Sequence, residues 1–481
     1  MARGGLLPLR EFSFNKQLVR QVAPGQSADR SAHSKRNRLI PGTQSDVTNS
    51  NAGWRWQKWH LWLLVAGLLL RVAFALTVDK ESSFGGWDGK EYYAYGQSLL
   101  ALRWDNYPRF FNNIRPPFYP IFLTPFLAVN DQIVWHIQLF QCGLGVLQAF
   151  ILAKVVGRWL GQRAGNGDGQ RAGNWAFVIA LFHPFLIYYC GFVLTETLFI
   201  TLLWFGIACL QRLADPGQEN QTRWLVGGAV ALGLGCLTRP TLQLFLPIAA
   251  LWIGWRVWRS YDWMTGLKRM AAFTAIVSAL LLPWMIGNLC AHGEFTLAPG
   301  NTQVSYAFSN SPEYLRMYES KTKQEYYENF EGLIRKFSVE SGTSPETWIA
   351  EARDFRQNHR EEWWRLQAFK FKHFWTPWLN PLIFSRANVL ISLVTITPLF
   401  LLGALELVRR RRIIDPFLVL LLGLIAVGYL VGGFLFHVQV RYRFPYVDLT
   451  LMILSASLLG QLQLSKLRDL KLVRMLRPVR A

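Results

Sequence analysis

Charged residues are scarce in this chain. They make up 17% of its 481 residues, against about 25% in a soluble protein, which argues against a large water-soluble globule. Acidic residues are scarcer still, 30 against 51 Lys and Arg, for a net charge of +21. Only five cysteines occur, at positions 142, 190, 209, 236 and 290. None of them shows metal-ligand spacing, so neither a zinc site nor a disulfide framework is expected. The chain also lacks a Walker A loop, a GxGxxG run after a strand and an HExxH pair. ATP-driven transport, dinucleotide chemistry and zinc hydrolysis therefore have no support. The first 58 residues lack the apolar core and small-residue cleavage site of a secretory signal. Rich in Ser, Asn, Gln, Gly and Arg, residues 1–58 read as a disordered basic cytoplasmic tail.

Apolar residues are abundant by contrast: 51% hydrophobic, 15% aromatic, 21 tryptophans. They come in long blocks, and a block of about 20 spans a bilayer. Ten blocks stand out: 59–78, 133–157, 174–193, 194–211, 223–238, 241–258, 269–289, 387–408, 414–436 and 444–461. The fold class is an all-α polytopic membrane protein with a transmembrane domain over 59–461. Blocks 174–193 and 194–211 abut, which predicts a tight turn near Thr195. Lys and Arg favour the cytoplasmic side of such proteins. With the N-terminus inside, the inner segments (1–58, 154–175, 211–223, 256–270, 406–415, 464–481) carry +20 of the +21. Both termini are thus expected in the cytoplasm. This sorting, with attraction to anionic lipid, accounts for the basic balance without nucleic acid. Residues 462–481 read as a basic amphipathic tail on the inner leaflet.

Two outer segments are long. In 79–132, the run KEYYAYGQSLLALRW predicts a short interfacial helix, and PPFYPIFLTPFLAV a juxtamembrane or re-entrant piece. Segment 290–386 holds twelve basic and twelve acidic residues, as a water-facing subdomain would. Within it Ser344, Pro345 and Glu346 mark a helix start.

The candidate chemistry lies on the expected outer side. Asp88 and Glu91 are three apart and share a helix face; one suits a general base, the other a group positioning the acceptor or a metal. Arg115 precedes Pro116 and Pro117, and a proline restricts the residue before it, so its guanidinium suits phosphate binding. Glu196 stands in the nearly charge-free stretch FVLTETLFITLLW, where an acid is expensive to bury. Arg239, before Pro240, occupies the next outer turn. Arg441 and Arg443 flank Tyr442 at the last one. Arg71, inside the first span, joins this cluster from below or snorkels outward.

In order, these residues make a pattern: the first-loop aspartate with EYY, RPPFYPIFL, LTETLF, GLGCLTRPT, LLPWMIGN and RYRFP. Over roughly 59–460 the chain resembles integral-membrane glycosyltransferases of the GT-C class. Within it, the chain resembles the bacterial group of glycosyltransferase family 39, relatives of protein O-mannosyltransferases and of the lipid A aminoarabinose transferase. The resemblance implies a polyprenyl-phosphate-linked sugar donor, an acceptor of unassigned kind (glycan, lipid or protein) and a site on the outer face of a bacterial plasma membrane. It implies Asp88 as base, with Glu196 lining the same cavity. It implies that Arg115, Arg239, Arg441 and Arg443 face the lipid phosphate, with Glu91, Tyr92, Tyr442 and Asn288 around the substrate. No cofactor is required by this chemistry, and a divalent metal stays open. Two positions depart from the group: Asp88 is followed by Gly89, not a second acid, and Gly287 stands where an arginine often precedes Asn288. A flippase for lipid-linked sugars is the second reading, favoured less because ion-coupling charges within the spans are nearly absent. A glycan ligase or polymerase is a third, sharing most of the chemistry.

Overall fold

The computed structural model describes residues 53–79, 81–85, 87–101, 115–129, 133–164, 166–213, 221–297, 299–337, 344–411 and 415–462. Most of the expected cytoplasmic tail (1–52) and nearly all of the basic C-terminal tail (463–481) lie outside the described residues, as do 102–114 of the first outer loop. The described chain is helical throughout, with no strand among the described residues. Among the described residues seven helical segments are long and apolar enough to cross a membrane, eight if one bent pair counts as a span.

Helix α1 (Lys58–Thr77) packs against α4 (Ile133–Ala164) after two short helices, α2 (Trp87–Leu100) and α3 (Phe118–Leu127). Proline at 120 and 125 and a length of ten residues keep α3 from spanning. The third expected block is the bent pair: α5 (Asn166–Phe182) and α6 (Pro184–Tyr188), with a 3-10 turn to Gly191, meet at 51°. The expected turn near Thr195 follows, and α7 (Glu196–Leu213) starts on the acid itself. Helices α8 (Gln221–Thr238) and α9 (Leu246–Ser260) are the fifth and sixth expected segments. They pack in the bundle but miss the length and apolarity of a full span, one carrying Gln221 and Arg223 and the other running 15 residues. Then come α10 (Trp263–His292), α16 (Arg386–Arg410) and α17 (Pro416–Tyr429). The final segment, 440–461, ends in α19 (Leu449–Gln461). That last helix is the centre of the bundle, nearly every residue buried, and it packs on α5 and α16. The outward faces of α1 and α16 carry exposed Trp62, Leu69, Val394 and Leu401, as a lipid-facing surface does.

Between α10 and α16 five helices build a helical subdomain, in the segment expected to lie outside: α11 (Pro299–Ser309), α12 (Pro312–Glu319), α13 (Lys323–Lys336), α14 (Pro345–Asn358) and α15 (Arg360–Trp375). They share an aromatic core around Tyr314, Tyr326, Phe355 and Trp363. The helix start at Ser344 is present, its hydroxyl accepting from the Thr347 N–H. The remaining short helix, α18 (Val440–Arg443), opens the last segment.

The location expected for Arg71 requires correction. Its side chain is fully buried and neither joins the outer cluster nor snorkels. Its guanidinium donates to the carbonyls of Ala180, Leu181 and Gly67 at 3.0, 2.7 and 3.0 Å. Pro184 has no N–H to offer Ala180, and the Phe185 N–H is turned to His183 Nδ1. Arg71 thus supplies the donors that the helix break removes, and its charge sits at a helix C-terminus, where a cation is favoured. Arg71→Met leaves two buried carbonyls without donors, at about 1–3 kcal/mol each. The expected outcome is a clear drop in the thermal midpoint of the protein in lipid; an unchanged midpoint would remove Arg71 from this role.

Candidate functional site

Local sequence places Asp88 in the first turn of α2. A 3-10 turn over Ser82–Phe84 ends at Gly85, whose φ of +57° is left-handed, a conformation that suits glycine. The chain then enters α2 so closely that a Cβ on Gly89 would strike the backbone of Phe84. The absence of a second acid after Asp88 therefore has a steric reason. Gly89→Ala is expected to push α2 away from that turn. A displacement of about 1 Å at Asp88 costs about 10²-fold in rate, and single-turnover kinetics of the folded variant would detect it.

Asp88 lies between two arginines. Arg115 Nη2 donates to Oδ1 at 2.5 Å, and Arg441 Nη1 to Oδ2 at 2.5 Å. Arg115 Nε also donates to Glu91 at 2.6 Å. Arg441 Nε lies 2.9 Å from Glu196 Oε1, an ion contact outside hydrogen-bond geometry. Arg239 Nη1 completes the chain, 3.1 Å from the same Glu196 oxygen. Glu91, Arg115, Asp88, Arg441, Glu196 and Arg239 thus alternate in sign along one continuous network. Its three carboxylates and three guanidinium groups sum to zero. Burial raises the carboxyl of Asp88, but Arg441 and Arg115 outweigh it and hold it at about 2. The acid is ionised and fully occupied in this state.

Around the network, Tyr92 lies under the Arg115 guanidinium at 5.1 Å and edge-on to Tyr119. Tyr442 lies under Arg239 at 5.1 Å. Arg239 has the extended backbone that its following proline favours, φ −142°. Glu196 is fully buried at the start of α7, where a helix N-terminus favours an acid.

Two expected site residues stand outside this charge network. Arg443 is committed to Asp448 at 2.8 Å and to the Phe374 and Thr376 carbonyls, although it borders the same cavity as Asp88. Asn288 is buried in α10 and donates to the Thr296 carbonyl at 2.7 Å, holding the entry to the subdomain.

Several positioning residues escaped sequence reasoning. Gln138, Gln141 and Gln148 on α4 donate to the carbonyls of Gly191, Cys190, Phe192 and Thr197. They fix the turn that delivers Glu196. Their signal was available: three glutamines at spacings of three and seven share one face of an apolar helix. The loop carrying Arg441 is braced from the subdomain. Lys370 donates to the Phe434 carbonyl, Ser309 and Asn310 to that of Leu435, and the Val438 N–H to the Tyr314 hydroxyl. These contacts join positions more than 60 residues apart, so no local pattern announces them.

A cavity of about 860 Å³ opens between the bundle and the subdomain, with Asp88, His437 and Arg441 on its bundle side. Among the described residues no group of three His, Cys, Asp or Glu side chains gathers as a metal site would require.

Residues 114–286 match the family model for dolichyl-phosphate-mannose-protein mannosyltransferase. No curated protein matches the chain. Among solved structures, the chain is similar to the archaeal oligosaccharyltransferase AglB from Archaeoglobus fulgidus in complex with an inhibitory peptide and a dolichol-phosphate. The identity is 14%, over 88% of this chain and 52% of that one, with a TM-score of 0.47. The oligosaccharyltransferase of the same organism in its apo form gives 13%, 88%, 53% and 0.46. The chain spans about half the length of these structures.

Proposed function

We propose that this chain, carrying a mannosyltransferase family match over residues 114–286, is a multi-pass membrane glycosyltransferase. It moves a sugar from a polyprenyl-phosphate donor to an acceptor hydroxyl on the non-cytoplasmic face. The observation that carries this reading is Asp88 held between Arg115 and Arg441 at the edge of the cavity. The distribution of basic residues along the chain supports the sidedness.

The chemistry follows from charge. The phosphodiester of the donor bears one negative charge and competes with Asp88 for Arg115 and Arg441. As those guanidinium groups turn to the phosphate, Asp88 loses the cations that hold its proton affinity down. It then accepts the proton of the acceptor hydroxyl while that oxygen bonds to the anomeric carbon. The bond from that carbon to the phosphate oxygen breaks, and polyprenyl phosphate leaves with a second negative charge. The arginines stabilise this developing charge more than the ground state. One base and direct displacement give inversion at the anomeric carbon. Glu196 anchors Arg239 and Arg441 from below, and no cofactor enters the scheme.

The test uses the full chain in liposomes with a panel of polyprenyl-phosphate sugars and crude envelope acceptor. The expected result is acceptor-dependent release of polyprenyl phosphate with inverted product. Movement of intact donor across the bilayer without release would overturn this reading in favour of a flippase.

A further inference from the structure

The outer subdomain faces water by composition, yet it exposes large apolar side chains on the wall of the cavity that Asp88 borders. Tyr327, Ile334, Trp378 and Ile383 are 40, 47, 41 and 36% exposed, and all four line it together with Phe330 and Phe384. Uncovered apolar surface of this kind marks a binding site. At about 860 Å³ the cavity is at the upper end of small-ligand pockets, which are mostly apolar with a few convergent polar groups. Here polar groups come from both sides: Asp88, His437, Gln439 and Arg441 from the bundle, and Ser305, Lys372, His373 and Asn380 from the subdomain. His437 is edge-on to Tyr442 and to Phe308, with its Nδ1 buried and unbonded. A buried ring nitrogen without a partner is costly, and a ligand hydroxyl reaching it would remove that cost.

Resting on the glycosyltransferase reading, we propose that this cavity is the acceptor site and that the acceptor is an amphiphile. Its hydroxyl lies between Asp88 and His437, and its apolar body lies against α13 and the Ile383–Phe384 segment. The donor's polyprenyl tail is the competing occupant. It stays in the hydrocarbon of the bilayer, whereas this apolar wall belongs to the subdomain with twelve acidic and twelve basic residues. An extended polar peptide or free polysaccharide would leave the wall uncovered. The subdomain thus selects the acceptor, and the same element braces Arg441 through Lys370, Asn310 and Tyr314.

The test is photolabelling of the full chain in lipid nanodiscs with a diazirine-bearing long-chain alcohol, mapped by peptide sequencing. Release of polyprenyl phosphate from donor is followed in parallel. The expected result is labelling of the Tyr326–Phe337 stretch and of Ile383–Phe384, suppressed by envelope lipid extract. Ile334→Asp, at an exposed position that tolerates charge, reduces this labelling at least tenfold and leaves donor binding unchanged. Labelling confined to the membrane-facing helices overturns the proposal, as does equal suppression by a water-soluble serine-rich peptide. Cavity labelling without any donor turnover keeps the site for an apolar-bodied alcohol and discards glycosyl transfer. Turnover without cavity labelling does the reverse.

Discussion

Asp88→Asn is expected to lose glycosyl transfer by about 10²- to 10⁴-fold, the usual contribution of a positioned general base, while binding donor at least as tightly as the native protein. The second half of that expectation separates this site from a simple anion trap. In the structure the carboxylate contacts both Arg115 and Arg441 at 2.5 Å. A donor phosphate must displace it from them. The amide has the same shape but no charge, so the arginines are released to the ligand. Donor binding by calorimetry and release of polyprenyl phosphate, both in lipid, check the two halves. Loss of both together would make Asp88 a structural partner of the arginines rather than a base.

The same geometry predicts a pH signature. The carboxyl of Asp88 is held at about 2 against burial by its two cations. For a carboxylate depressed in this way, the stability it contributes is present above its ordinary value of about 3.9. That contribution is lost only as pH falls through about 2. Activity limited by the free protein, kcat/KM for donor, therefore has no acid limb from Asp88 at mild pH. Once phosphate has drawn the arginines away, the proton affinity of Asp88 rises. The acid limb of kcat then lies at higher pH than that of kcat/KM. Coincident limbs would mean that the arginines stay on Asp88 throughout.

The second large effect separates two arginines two residues apart. Arg441→Gln removes the link between Asp88 and Glu196, and with it a guanidinium that lines the cavity. Loss of one donor aimed at developing charge costs about 10²–10³ in kcat, and Glu196 keeps Arg239 as its partner, so the fold survives. Arg443→Gln behaves in the opposite way. Arg443 and Asp448 are buried together, and removing one partner of a buried pair costs about 3–5 kcal/mol. The expected outcome is poor yield and a low thermal midpoint, with near-native donor affinity in the folded fraction. Affinity measured per folded molecule, beside the midpoint, distinguishes the two. A stable Arg443→Gln protein that has lost donor affinity would return Arg443 to the phosphate.

The covalent sequence by itself determined the class of molecule and the order of its apolar helical segments, of which seven or eight among the described residues are long and apolar enough to span. The reason is that hydropathy and charge act locally: a block of about 20 apolar residues has few alternatives to a bilayer span. Arg-Pro at 239 and the helix start at Ser344 were legible for the same reason, since backbone restriction and capping reach only a few residues. The tertiary structure decided what those charges are bonded to. Arg441 and Arg443 are indistinguishable in RYRFP, yet one faces Asp88, 353 positions away, and the other is bound to the Phe374 and Thr376 carbonyls. Arg71 looked like part of the cluster and instead serves a helix break more than a hundred residues on. Charge pairing and carbonyl capping depend on distances of a few ångströms between remote segments, and only the packing of the bundle and its subdomain sets those distances.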